Sequence, residues 1–184
     1  MPATVVFGRA SLADDGSDLP THLRRRAERV QSQTERNSLL QSHMHLALLL
    51  EGAGQVNYSL SRRAGYFAVA VCPDDKIGVD VEQVILTDDI DTVAACYFPA
   101  QLYQAYLKLP KIDRPRHFAA GWSALEAVAK LRAIPLEAAG ENLISTVLYQ
   151  CWIADDMVLS VALDHDLELS MTSLAGGDYI FTRI

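Results

Sequence analysis

Cysteine is scarce in this 184-residue chain, basic residues are outnumbered, and no apolar run comes near the length of a membrane span. Each shortage excludes something. Cys72, Cys96 and Cys151 are far apart and form no C-x-x-C pair. Cys72 and Cys151 fall in apolar, strand-like runs, so free buried thiols are expected, as suits a reducing cytoplasm. The formal net charge of −7 argues against a nucleic-acid binder, which needs a basic surface for phosphate contacts. A small ligand or a protein partner fits better. The start of the chain, Met1-Pro2-Ala3-Thr4-Val5-Val6-Phe7, lacks both a basic leader and a long apolar core, so no signal peptide is expected. The absence of a run of about 20 apolar residues likewise predicts no membrane helix.

What is present suits a globular fold. Half of the residues are hydrophobic and 21% are charged, enough apolar surface for one compact domain or two small halves sharing a core. A short strand is expected over residues 4–7, a loop over 11–20 and a helix over 21–51, with Thr21 as a candidate cap. Strands are expected over 56–60 and 65–71, with a turn at Arg62-Arg63-Ala64. A polar turn at 73–76 then leads into a further strand, which predicts a hairpin between these two strands. An acidic connection (86–91), helices near 91–96 and 99–107 and a long helix over 116–133 follow. Strands over 144–149, 151–154, 158–163 and 179–182 complete the chain. The order of helix, strands, helix and strands hints at an internal duplication of architecture.

Two segments carry the chemistry. In Ile77-Gly78-Val79-Asp80-Val81-Glu82, apolar residues alternate with Gly and acids, so Asp80 and Glu82 project from one strand face about 7 Å apart. Carboxylates that close repel unless a cation or strong donors sit between them. In Trp122-Ser123-Ala124-Leu125-Glu126-Ala127-Val128-Ala129-Lys130, four-residue spacing puts Trp122, Glu126 and Lys130 on one helix face. A third carboxylate and a lysine then become available to face the strand pair, and carboxylates with phosphate oxygens and water are how Mg²⁺ is held at phosphoryl sites. Taken singly, these residues also fit an edge strand in solvent and a surface i,i+4 ion pair. His43 and His45 do not share a helix face and make a poor metal pair. Asp164-His165-Asp166 reads as a turn, and Ser59 has no evident histidine partner that would make it a nucleophile. Arg24, Arg25, Arg26 and Arg29 read as a solvated helix face, or as a contact for an acidic partner protein.

Together the two segments resemble the signature of the 4′-phosphopantetheinyl transferase superfamily: a G-[VI]-D-[VI]-E strand, then W-[ST]-x-K-E-[AS]-x-x-K on a helix. Gly78-Val79-Asp80-Val81-Glu82 matches throughout, and Trp122, Ser123, Glu126, Ala127 and Lys130 match the second half. Asn57-Tyr58-Ser59-Leu60-Ser61 is similar to the family's N-[IFL]-S-H-S segment. The resemblance runs from about residue 56 to about residue 163.

The resemblance implies an α+β fold of two pseudo-symmetric halves, each a helix packed on a small antiparallel sheet, with the active site in the cleft between them. This is the pseudo-dimeric arrangement of the surfactin-synthetase-activating type, with residues 1–84 as one half and 85–184 as the other. It implies transfer of the phosphopantetheine arm of coenzyme A to a serine of an acyl or peptidyl carrier protein, in a cytoplasmic monomer. Asp80, Glu82 and Glu126 would hold Mg²⁺, Glu126 would take the serine proton, and Lys130 would stabilise the leaving phosphate. Ser59, Lys130 and Arg36 are the candidate coenzyme A contacts. Two positions depart from the pattern: Leu60 stands for the histidine and Leu125 for the lysine. Reverting both is expected to tighten coenzyme A binding. The alternative is a catalytically impaired homologue that binds a carrier protein.

Overall fold

The computed structural model describes residues 2–11, 17–87, 89–174 and 179–184, so residues 12–16 of the loop expected over 11–20 lie outside the described residues. The fold is α+β, with two four-stranded sheets and six α-helices among those residues. Strand β1 spans Ala3–Arg9, β2 Asn57–Arg63 and β3 Tyr66–Cys72. With β7, Leu169–Ser173, they form the first sheet in the order β2-β3-β1-β7. The second sheet runs β4-β6-β5-β8, from β4 (Ile77–Gln83), β5 (Val147–Ala154), β6 (Met157–Leu163) and β8 (Thr182–Arg183).

Period-two patterning builds the centre of the molecule. Val5 and Phe7 of β1, Ala68, Ala70 and Cys72 of β3, Val79 and Val81 of β4, and Leu159 and Val161 of β6 are buried in one cluster between the sheets. The opposite faces take helices. Phe67, Val69 and Val71 of β3 cluster with Leu46 of helix α2, Gln33–Leu50. Ala162 of β6 and Leu148 of β5 cluster with Ala124, Leu125, Val128 and Leu131 of helix α5, Arg114–Arg132. Each sheet is thus covered on its outer side by one long helix. Helices α3 (Ile90–Tyr97), α4 (Ala100–Leu107) and α6 (Leu136–Asn142) contribute to the α5 side.

Several elements differ from the sequence reading. The helix expected over 21–51 is two: α1, Thr21–Glu28, and α2. Thr21 is the first residue of α1 and caps nothing; Pro20 precedes it. Ser32 caps α2 by accepting the Glu35 N–H, and a serine three residues before a glutamate is a start signal strong enough to restart a helix. The first turn starts two residues later than expected and is confined to Ala64 and Gly65, both with positive φ, as a two-residue hairpin turn requires. Arg62 and Arg63 consequently belong to β2. The hairpin expected between β3 and β4 does not form: β4 pairs antiparallel with β6 and opens the second sheet. The two strands expected over 144–154 are one strand, β5, preceded by a 3₁₀ turn, Leu143–Ser145. Neither α6 nor β7 was evident: α6 is short and contains Gly140, and β7 is polar and half-buried. Strand β7 pairs parallel with β1, so the first sheet is mixed, where an antiparallel one was expected. Of the final strand expected over 179–182, only Thr182–Arg183 pairs.

Candidate active site

Strand β2 is one edge of the first sheet and β4 one edge of the second, and these two edges meet. Serine side chains bridge them where a backbone ladder is absent. Ser59 Oγ accepts the Val79 N–H at 3.0 Å, and Ser61 Oγ donates to Asp80 Oδ1 at 2.8 Å. Both serines are 7% exposed, and each satisfies a polar group at a junction where an unpaired one is costly.

Alternation along β4 turns Val79 and Val81 to the sheet interface and Gly78, Asp80 and Glu82 toward α5. Gly78 allows the close approach. A Cβ there would sit on the Ala127 carbonyl oxygen and 2.7 Å from the Leu131 backbone nitrogen. Helix α5 then lays Glu126 and Lys130, one turn apart, over Asp80. Lys130 Nζ donates to Asp80 Oδ1 at 2.7 Å and to the Val79 carbonyl at 3.1 Å, and lies 3.8 Å from Glu126 Oε2. Ser123 Oγ donates to the Asp80 carbonyl at 3.2 Å. Trp122 Nε1 donates to Glu126 Oε1 at 2.9 Å, and its ring stacks on Phe118 and meets the Tyr97 ring edge-on. Trp122 thus orients the carboxylate one turn away.

Asp80, Glu82, Glu126 and Lys130 all line one cavity of about 260 Å³, together with Leu60, Ser61, Arg62 and Arg63. Residues some fifty positions apart are thereby brought together. The electrostatics are uneven. Burial raises the Glu126 pKa, and the Asp80 charge adds to it, against a lowering by Lys130. Burial also raises Glu82, opposed by the Gln83 N–H and by Arg63. Asp80 is 2% exposed, and its Oδ2 has no hydrogen-bond partner.

The expected three-carboxylate set is not assembled as such. Glu82 Oε1 takes Arg63 Nε at 2.8 Å and the Gln83 N–H at 2.8 Å. Among the described residues, no three His, Cys, Asp or Glu side chains converge on one point that suits a metal. What does suit a cation is the pair Asp80 and Glu126. One carboxylate oxygen there is buried and unpartnered, and the other carboxylate is held under repulsion. Mg²⁺ is commonly held by only one or two carboxylates plus phosphate oxygens and water.

The other expected site residues are placed differently. Ser59 faces the Val79 N–H, and Ser61 is the serine in the cavity. Arg36 donates from Nη2 to the Val30 carbonyl at 2.8 Å, across the link between α1 and α2, and is not among the residues lining this cleft. His43 is held by the Leu39 carbonyl and His45 stacks on Phe67. The Asp164-His165-Asp166 turn is pinned by Arg132, Asp75, Tyr149 and Arg183. Sequence reasoning missed Arg62 and Arg63 because an arginine pair beside a turn reads as solvated. The strand period continuing from Ser59 and Ser61 signalled Arg63; Arg62 falls on the opposite face of β2 with Leu60, and no such pattern marked it. It also missed the basic concavity of about 540 Å³ that His22, Arg25, Arg26 and Arg29 line along α1.

Leu125 is wholly buried, among the residues that pack α5 on the second sheet. The expectation that Leu125→Lys tightens ligand binding is therefore replaced. The ammonium would enter the core, at a cost of several kcal/mol or roughly 10 °C in melting temperature for a chain of this size. Thermal melts of the variant and wild type check this; unchanged melting would show that residue 125 reaches solvent. Leu60 is half-buried and packs with Leu46 and Val69, so Leu60→His loses apolar contact as well as gaining a polar group.

Residues 76–149, less than half of the chain, match the family model of the 4′-phosphopantetheinyl transferase superfamily. The match takes in β4 and α5, and so Asp80, Glu82, Glu126 and Lys130; β2 lies outside it. No curated protein matches the chain.

Proposed function

We propose that this cleft transfers the 4′-phosphopantetheine arm of coenzyme A to a serine hydroxyl of an acyl or peptidyl carrier protein. One observation carries the reading: Asp80 and Glu126, from a strand and a helix far apart in sequence, meet around Lys130 in one cavity, with Asp80 Oδ2 buried and unpartnered. Phosphoryl transfer requires charge neutralisation, alignment and a base, and the cleft offers residues for each.

In this reading, the serine oxygen attacks the β-phosphorus of coenzyme A. The bond from that phosphorus to the bridging oxygen breaks, and adenosine 3′,5′-bisphosphate leaves with the bridging oxygen. The serine proton goes to Glu126, whose raised pKa makes it a better base than an ordinary surface carboxylate. Trp122 fixes Glu126 Oε1 and leaves Oε2 for that proton. Lys130 has three donors, and with two held by Asp80 and the Val79 carbonyl the third serves the departing phosphate. Mg²⁺, held by Asp80 and Glu126, would supply charge neutralisation at the diphosphate. The basic concavity on α1 would receive a further phosphate of coenzyme A. Arg62 connects the two regions: it lines the acidic cleft, and the nearby Arg26 charge adds to burial in lowering its pKa. The chain would act as a cytoplasmic monomer, with each sheet and its covering helix as one half; because β4 joins the second sheet and β7 the first, these halves do not divide at residue 84 as expected.

The test is direct. The purified protein, coenzyme A and Mg²⁺ are incubated with several apo carrier proteins, and the carrier mass is read. Gain of one phosphopantetheine group, abolished by EDTA, is expected. Leu60 and Leu125, apolar and packed, favour a second reading, in which an impaired homologue binds a carrier protein without modifying it. Carrier binding with no mass gain on any carrier would select that reading.

A further inference from the structure

The cleft must hold a diphosphate if it acts as proposed, yet only three of the residues lining it are cationic: Arg62, Arg63 and Lys130. Lys130 is tied to Asp80 and the Val79 carbonyl. The other two end β2, the edge strand beside β4, and they differ in state. Arg62 is half-buried, with its charged form disfavoured by burial and then by Arg26, and among the described residues it has no hydrogen bond or ion-pair partner. Arg63 is paired with Glu82 through Nε at 2.8 Å, but its side chain remains 45% exposed against 12% for Glu82. The half-exposed guanidinium can swing to another partner; the largely buried carboxylate it leaves keeps the Gln83 N–H, and the ligand's phosphate contacts must offset its loss of the cation. The planar guanidinium fork suits phosphate better than a lysine does.

We propose that Arg62 and Arg63 are the diphosphate-gripping residues of this cleft, and that Arg63 leaves Glu82 for phosphate when the ligand enters. This rests on the transferase reading and deepens it. Arg62, which feels the Glu35 charge without a direct ion pair to it, gains a contacting anion, and Arg63 carries its charge from a protein carboxylate to the ligand. Glu82 is then released toward the cleft. Anion binding and the freeing of an acid are thereby linked through one side chain.

Binding of coenzyme A and of inorganic pyrophosphate, measured by calorimetry in EDTA so that no divalent ion contributes, tests the proposal. Arg63→Ala and Arg62→Ala are each expected to weaken both ligands about 10- to 100-fold, the usual range for a charge-assisted hydrogen bond. Arg63→Lys, which keeps the charge and loses the fork, should fall between. The deciding variant is Glu82→Gln. If Arg63 is shared with the ligand, weakening its protein partner leaves binding intact or tightens it. A purely structural Arg63–Glu82 pair predicts instead that Glu82→Gln and Arg63→Ala weaken binding and lower the melting temperature together. That result, or arginine variants that bind like wild type, overturns the proposal while leaving wild-type carrier modification unaffected. A wild-type protein that binds neither ligand, with or without Mg²⁺, and modifies no carrier would overturn the transferase reading itself.

Discussion

Glu126→Gln is expected to lower carrier modification by about 10²- to 10⁴-fold, the range for removing a general base, while raising the melting temperature at neutral pH. The two effects have one cause. Burial, reinforced by the Asp80 charge, raises the Glu126 pKa. A carboxyl raised in the folded state contributes stability that is fully present below its unfolded pKa and is lost as pH rises through its folded one. At neutral pH the ionised side chain is therefore a liability to the fold. Glutamine keeps an acceptor for Trp122 Nε1 and removes the charge. The stability gain should shrink toward about pH 4, near the ordinary carboxylate pKa, where wild-type Glu126 is also neutral. Melting curves at neutral and acid pH, with transfer rates for both proteins, check these statements. Loss of activity accompanied by loss of stability would mean that Glu126 holds the fold and is not a strained reactive group. Such opposition between stability and activity is common at sites that hold like charges close together.

Gly78→Ala is expected to remove the folded state, or to destabilise it by about 3 kcal/mol or more, at the upper end of overpacking costs. The added methyl would meet the Ala127 carbonyl oxygen and the Leu131 nitrogen. Both are backbone atoms of the C-terminal turns of α5, so no rotamer change relieves the clash. Urea denaturation, or the soluble yield when no folded protein survives, reads the effect. The comparison is Gly54→Ala, where a methyl group meets nothing within 4 Å and near-neutral behaviour is expected. A Gly78→Ala protein of wild-type stability would mean that β4 and α5 stand farther apart than the geometry requires. The glycine of the Gly78-Val79-Asp80-Val81-Glu82 segment is thus a packing residue. It lets the helix come near enough for Lys130 to reach Asp80.

Much of the site was legible in advance because it rests on short-range periodicity. The two-residue repeat of β4 places Asp80 and Glu82 on the face opposite Val79 and Val81, and the four-residue spacing of α5 aligns Trp122, Glu126 and Lys130. These are properties of single elements, and the observed elements keep them. The departures arise where the outcome depends on a partner element. Glu82 shares its face with Asp80, but Arg63 lies within its reach, and that fact needs the β2 edge beside β4. Ser59 and Ser61 are equivalent by alternation; only the junction of the two sheets makes one a bridge to a backbone N–H and the other a ligand of Asp80. Leu125 lies next to Glu126 in sequence, but a helix turns about 100° per residue, which carries it into the core.

The amino-acid sequence by itself determined the class of fold, the strand and helix that bear the acids, and the faces on which those acids lie. Local repeats and turn chemistry are set by neighbouring residues, so they can be read without knowing what packs where. Tertiary structure decided that β4 joins β6 rather than β3, that β7 runs parallel to β1, and that arginines from β2 enter the cleft. Those outcomes depend on which buried surfaces fit one another across long stretches of chain. Shape and desolvation, not any local pattern, choose among the possible pairings.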